Sequence, residues 1–159
     1  MPADNWKAIV ASSLDWEQAH AGLESSLKNL APELRAKRHP DFVHSVWELV
    51  EHTRRTQHDL LEFCTNANYK EPKWPDDYWP SPDQVPTEQE WVKSLAGIKA
   101  DTAALAKFTT DSDVDLTAKI PHGTGQTYLR TVLVAMDHTS YHTAQVICVR
   151  RLLHAWPPG

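Results

Sequence analysis

Two of the nine histidines in this 159-residue chain have a spacing that suits metal binding. His138 and His142 lie four residues apart in a segment whose apolar residues recur with helical periodicity. On an α-helix this spacing places both imidazoles on one face, one turn apart, where they can share one metal ion. Ala135, Val146 and Val149 flank them on that face, so the pair points into apolar surroundings. The alternative is two ordinary core or interface histidines.

A mononuclear metal site needs a third ligand from another element, and two histidines qualify. His20 lies within an apolar stripe that includes Trp16 and Leu23, which predicts that its side chain points into the bundle. There it would bind the metal, contact a metal ligand from behind, or be an ordinary core histidine. His52 lies roughly 120° from the mean apolar direction of its own predicted helix, which predicts a position at the flank. From the residues alone, the two are equal candidates. The other five histidines are predicted at the surface or in loops: His39, His44, His58, His122 and His154.

Four segments with helical periodicity must position these histidines. The first runs from about Asp15 to Leu30, and a helical turn around Trp6–Val10 precedes it or merges with it. Capping boxes at Ser45 and Thr87 start the second and third helices. The fourth helix spans about 126–154, and no segment alternates with a period of two. The sequence therefore predicts an all-α, four-helix bundle in a single domain, residues 1–159.

The connection between the second and third helices is long and rich in proline. Five of the 21 residues 66–86 are proline, interleaved with Tyr69, Trp74, Tyr78 and Trp79. An extended segment of this length reaches roughly 70 Å, whereas a 20-residue helix is about 30 Å long. The connection can therefore return along the whole bundle, which would make the second and third helices parallel.

Composition and missing motifs exclude several classes of protein. With 16 basic and 21 acidic residues the net charge is -5, so the chain lacks the basic surface of a general nucleic-acid binder. Only five glycines are present, and no phosphate-binding glycine motif occurs. No apolar run is long enough for a membrane span, and no signal peptide is visible. The two cysteines, Cys64 and Cys148, are expected to be reduced in a cytoplasmic protein.

Three motifs together resemble the DinB-like family of damage-inducible proteins, which is similar in fold to metal-dependent hydrolases. The resemblance extends from about His20 to Trp156. The motifs are Ser45-Val-Trp-Glu-Leu-Val-Glu-His52, Trp74-Pro-Asp-Asp-Tyr-Trp-Pro80 and Asp137-His-Thr-Ser-Tyr-His142, followed by Ala144-Gln145 and Arg150-Arg151. Many relatives have glycine where this chain has Ala144, and this methyl group could narrow a helix contact or pocket.

The resemblance implies an up-down-down-up bundle with a long crossover between helices two and three. It also implies a metal site formed by His52, His138 and His142, which overrides the flank position predicted for His52. We expect His20 and Tyr141 next to this site, behind the ligands or in the pocket. Members of the family commonly form dimers, so a homodimer is expected.

Two kinds of function are consistent with such a site. As an enzyme in stress response or detoxification, the protein would use a divalent metal (Zn, Ni or Fe) on a small-molecule substrate, either to hydrolyse it or to ionise a low-molecular-weight thiol that attacks it. The thiol S-transferase is what the family resemblance favours. The alternatives are a non-enzymatic, stress-induced protein whose metal is structural or incidental, and a helical interaction protein without a metal. A fourth protein ligand, for which His20 is the candidate, would favour the structural metal. No nucleic-acid or membrane partner is expected.

Overall fold

The regular structure of the protein is helical. In the computed structural model, which describes residues 5–157, no strand occurs, so the all-α prediction is confirmed. Two clusters of buried apolar side chains fill the bundle from end to end. The elements are α1 (Asn5–Ser13), α2 (Leu23–Leu27), a 3-10 turn (Pro32–Leu34), α3 (Val46–Thr65), α4 (Glu88–Thr110) and α5 (Tyr128–Leu152).

Both predicted capping boxes set the starts of the central helices. The Ser45 hydroxyl accepts the N–H of Glu48, whose carboxylate accepts the N–H of Ser45 in return. Thr87 and Glu90 repeat this arrangement at the start of α4. Each box satisfies backbone donors that have no partner within the helix. The Ser45 box places His52 in the second turn of α3.

Pairs of contacts establish the directions of the helices. The Ser94 hydroxyl donates to Glu51, and Asp101 lies 3.2 Å from His58, so α3 and α4 run parallel. In contrast, the start of α3 packs on the end of α5, which makes these two helices antiparallel. The Lys7 ammonium of α1 donates to the Asp111 carbonyl beyond the end of α4, so these two are also antiparallel. The bundle is therefore up-down-down-up, as predicted.

The predicted first helix is wrong over most of its length. The first long helix is α1, and residues 14–22 have no regular structure before the short α2. The hydroxyls of Ser12 and Ser13 donate back to the carbonyls of Ala8 and Val10 within α1. The Glu17 carboxylate accepts the N–H of Gly22, which closes a loop instead of a helical turn. Trp16, expected in the core, is 44% exposed.

The crossover of residues 66–86 packs along the outside of α3. The hydroxyl groups of Tyr69 and Tyr78 each donate to one oxygen of the Asp59 carboxylate. This double contact holds two distant points of the crossover against the middle of α3. The crossover is therefore a fixed wall of the bundle, which explains how so long a connection is accommodated in a small structure.

The last helix, α5, begins two residues later than predicted and ends at Leu152. One side packs on α3, while the opposite side exposes Leu133, Tyr141 and Cys148. The apolar residues on this exposed side are thus only partly buried within one chain. Among the described residues, no helix is both long and apolar enough to cross a membrane.

Candidate metal centre

Three histidines from two helices converge at the contact between α3 and α5. His52 belongs to α3, while His138 and His142 lie one turn apart in the middle of α5. The Nε2 atom of His138 is 3.1 Å from Nε2 of His52 and 3.1 Å from Nε2 of His142. His52 and His142 are buried, with His52 only 3% exposed, and His138 is half-buried. Its ligand atoms all lie within 4.8 Å of one another.

Hydrogen bonds on the far side of two rings determine which nitrogen faces the cluster. Nδ1 of His52 is 2.9 Å from the carbonyl oxygen of Tyr78, and Nδ1 of His142 is 2.7 Å from Oε1 of Gln145. Both oxygens can only accept, so each Nδ1 carries the hydrogen. A neutral imidazole has one N–H, and the Nε2 lone pairs of both rings are therefore directed at the cluster.

This donor set fits a divalent cation. A metal–nitrogen distance of about 2.0–2.1 Å in tetrahedral geometry places neighbouring nitrogens about 3.3 Å apart, close to the 3.1 Å that separates Nε2 of His138 from Nε2 of each of the other two histidines. The lone pairs of His52 and His142 both face His138, whose ring can offer only one hydrogen on Nε2. A bound cation would satisfy all three lone pairs at once.

Burial keeps the three rings neutral. It lowers the pKa of His52 to about 4 and that of His138 to about 3, and it also lowers the pKa of His142. Desolvation disfavours the charged imidazolium, and each ring would also repel a charge on its neighbours. Neutral imidazole is the form that binds metal, so the cluster is ready to bind a cation at neutral pH.

The crossover supplies an aromatic wall behind His52. The indole of Trp79 stacks on the His52 ring at 3.8 Å between centroids, with the planes 4° apart. His44 stacks on the other face of the same indole at 4.3 Å. His44, predicted at the surface or in a loop, lies in the loop before α3, where it is half-buried because its ring packs against this wall. The sandwich restricts rotation of the His52 ring and shields it from solvent on one side.

Of the two residues expected next to the site, Tyr141 lies there and His20 does not. His20 is exposed in the irregular segment after α1, where Nδ1 is 2.9 Å from the Ala21 carbonyl. The stripe that predicted an inward position required a helix that does not form. Tyr141 does lie beside the site, with its ring 5.1 Å from that of His142, although it is 60% exposed.

The position of His52 also differs from its periodicity. The helical wheel predicts a flank position, but the side chain is buried between α3, α5 and the crossover. The wheel averages the apolar direction of one helix and takes no account of a covering loop. Sequence reasoning assigned no role to the Tyr78 carbonyl, Trp79 or Gln145. The three-residue spacing from His142 to Gln145 was the one signal that could have identified a partner.

A comparison with protein families agrees with the geometry. A family model of the DinB superfamily matches residues 15–146, most of the chain. This chain belongs to the DinB superfamily. The matched segment contains all three clustered histidines, and the DinB-like resemblance seen in the sequence is confirmed. No curated protein and no solved structure gives a significant match.

In the metal-free DinB protein, the free energy of unfolding is expected to fall as the pH drops from about 6.5 towards the pKa of about 4 of His52. In this range unfolded imidazoles take up protons that the folded His52 and His138 do not, so acid favours the unfolded chain. Urea denaturation across this range, compared between wild type and His138→Gln, measures the effect. The variant should depend less on pH, and equal dependence in both proteins would contradict the assignment.

Proposed function

We propose that this DinB protein binds one divalent metal ion through His52, His138 and His142 and acts as a metal-dependent enzyme on a small molecule. The observation that carries the proposal is the convergence of Nε2 atoms while acceptors hold two of the Nδ1 hydrogens on the outside. Such outer partners are typical of histidines that bind metal. Zn²⁺, Ni²⁺ and Fe²⁺ all accept imidazole ligands.

The number of protein ligands favours catalysis over a structural metal. Structural zinc sites have four protein ligands, whereas catalytic sites have three and keep a position open. Within residues 5–157, no fourth histidine, cysteine, aspartate or glutamate joins the cluster. His20, the candidate fourth ligand, is exposed. The non-enzymatic alternative with a structural metal thus lacks the fourth protein ligand that would have supported it.

Among enzymatic reactions, the surroundings favour transfer of a small thiol over hydrolysis. When bound, the metal would supply Lewis acidity, which lowers the pKa of a water molecule or a thiol. Hydrolases commonly add a general base such as a carboxylate. Glu51, next to His52, is unsuited to this role. Although burial opposes its ionisation, hydrogen bonds from Arg54, Arg55 and Ser94 lower its pKa to about 2.

The protein has no thiol of its own at the cluster. Burial raises the pKa of Cys64 to about 12, and Cys148 is on the exposed side of α5. Neither belongs to the cluster. We therefore propose an exogenous low-molecular-weight thiol. Its sulfur forms a bond to an electrophilic carbon, the leaving group departs with the bonding electrons, and the thiol proton passes to solvent.

Two exposed aromatic side chains flank the histidines where a substrate would approach. Trp74 is 65% exposed, and its ring meets that of His52 edge-on at 6.4 Å. Tyr141 lies against His142. Together they offer apolar surface for an electrophile. The homodimer and the cytoplasmic location expected from the sequence remain part of this proposal.

Wild-type protein loaded with Zn²⁺ or Ni²⁺ should hold about one ion per chain by elemental analysis. The variants His52→Ala, His138→Ala and His142→Ala should each lose metal affinity by more than about tenfold while remaining helical by circular dichroism. His20→Ala and His154→Ala serve as matched controls and should retain the wild-type metal content. Metal binding that survives in all three ligand variants would exclude this site.

The metal-loaded protein should accelerate the reaction of a small thiol with an electrophile such as a bromobimane. The three ligand variants should react at the uncatalysed rate, because they would lack the metal that ionises the thiol. A panel of thiols assayed by bimane fluorescence, with an ester hydrolysis assay in parallel, measures both reactions. If the protein hydrolyses the ester but does not transfer the thiol, the transferase proposal is wrong and the protein is a hydrolase.

A further inference from the structure

Arg55 connects the metal-bearing helix to the crossover. It lies three residues after His52, one turn along α3. Its Nη1 donates to the carbonyl oxygens of Asp77 at 3.2 Å and Trp79 at 2.9 Å, while Nε donates to Glu51 at 2.8 Å. One guanidinium group therefore joins α3 to two nearby points of the crossover backbone.

These two points lie on either side of the peptide that orients His52. The carbonyls bound by Arg55 belong to the residues before and after Tyr78, whose own carbonyl accepts from His52 Nδ1. Because the three carbonyls belong to consecutive residues, a shift of the outer two moves the middle one. The direction of the His52 ring then depends on where Arg55 holds this backbone.

Glu51 in turn holds Arg55. Its buried carboxylate accepts from Arg55, from both Nε and Nη2 of Arg54, and from the Ser94 hydroxyl of α4. The Arg55 guanidinium is thus anchored at one edge to a carboxylate fixed between two helices. Its other edge faces the crossover, so the planar guanidinium group fixes the crossover backbone relative to Glu51.

We propose that Arg55 is a positioning residue for the metal centre, which holds the Tyr78 carbonyl against Nδ1 of His52 and so aims Nε2 at the metal. This inference rests on the proposed function, since it requires a metal at the three histidines. Arg55 itself touches neither the metal nor the substrate. Its effect passes through the backbone of residues 77–79.

Arg54 provides a matched control on the same helix. It carries the same charge and binds the same Glu51 carboxylate through two hydrogen bonds of similar length. In the described structure its only hydrogen bonds go to Glu51, and none reaches the crossover. An effect of charge or of losing a Glu51 partner should therefore appear in both arginine variants, whereas an effect of positioning should appear in Arg55 alone.

Zn²⁺ affinity and the visible absorption spectrum of Co²⁺ would be measured for the full-length wild type, Arg55→Ala and Arg54→Ala. Arg55→Ala should weaken Zn²⁺ binding by about 10–100-fold, the range typical of lost partners behind a metal ligand. It should also change the Co²⁺ spectrum, which reports ligand geometry. Arg54→Ala should bind Zn²⁺ within about twofold of wild type and keep the wild-type spectrum. Equal behaviour of the two variants would overturn the positioning role.

A second variant keeps the test decisive if Arg55→Ala does not fold. Arg55→Lys retains the charge, but an ammonium group lacks the planar fork that bridges Glu51 and two carbonyls. It should show the same changes at a smaller magnitude, and wild-type affinity with an unchanged Co²⁺ spectrum would overturn the proposal. A wild-type protein that binds no metal would instead contradict the proposed function, so the two failures are distinguishable.

Discussion

The hydrogen bond between His52 Nδ1 and the Tyr78 carbonyl is the constraint on which the rest of the site depends. A neutral imidazole has a single N–H, and giving it to a carbonyl leaves Nε2 as the only atom that can bind a metal. Because Tyr78 lies in the crossover, the bond requires that segment to return along α3. The return path in turn makes α3 and α4 parallel, so one interaction at the site is linked to the topology of the whole bundle.

The rest of the bundle supplies the other two histidines and the buried surroundings of the site. The antiparallel α5 presents two histidines one turn apart against α3, and Gln145 orients the second as Tyr78 orients His52. Burial removes water and keeps the rings neutral, while Trp79 packs against His52. Three clustered histidines from two helices, with exposed aromatic side chains beside them, are the arrangement on which the proposed function rests.

Much of this could be predicted from the sequence, and the failures have physical causes. The His138–His142 spacing, both capping boxes and the parallel course of the central helices all follow from local rules. The resemblance to the DinB-like family supplied His52, which the helical wheel misplaced because its burial depends on a loop. His20 was misplaced because the Glu17–Gly22 contact replaces a helix. The Tyr78 partner is a backbone atom, which no pattern of side chains reveals.

The most direct test of the central claim is X-ray absorption spectroscopy of the Zn²⁺-loaded protein, which counts and identifies the atoms bound to the metal. The account predicts three imidazole nitrogens at about 2.0–2.1 Å and one light atom from outside the protein. Four imidazoles, or a sulfur atom from a cysteine at about 2.3 Å, would contradict it.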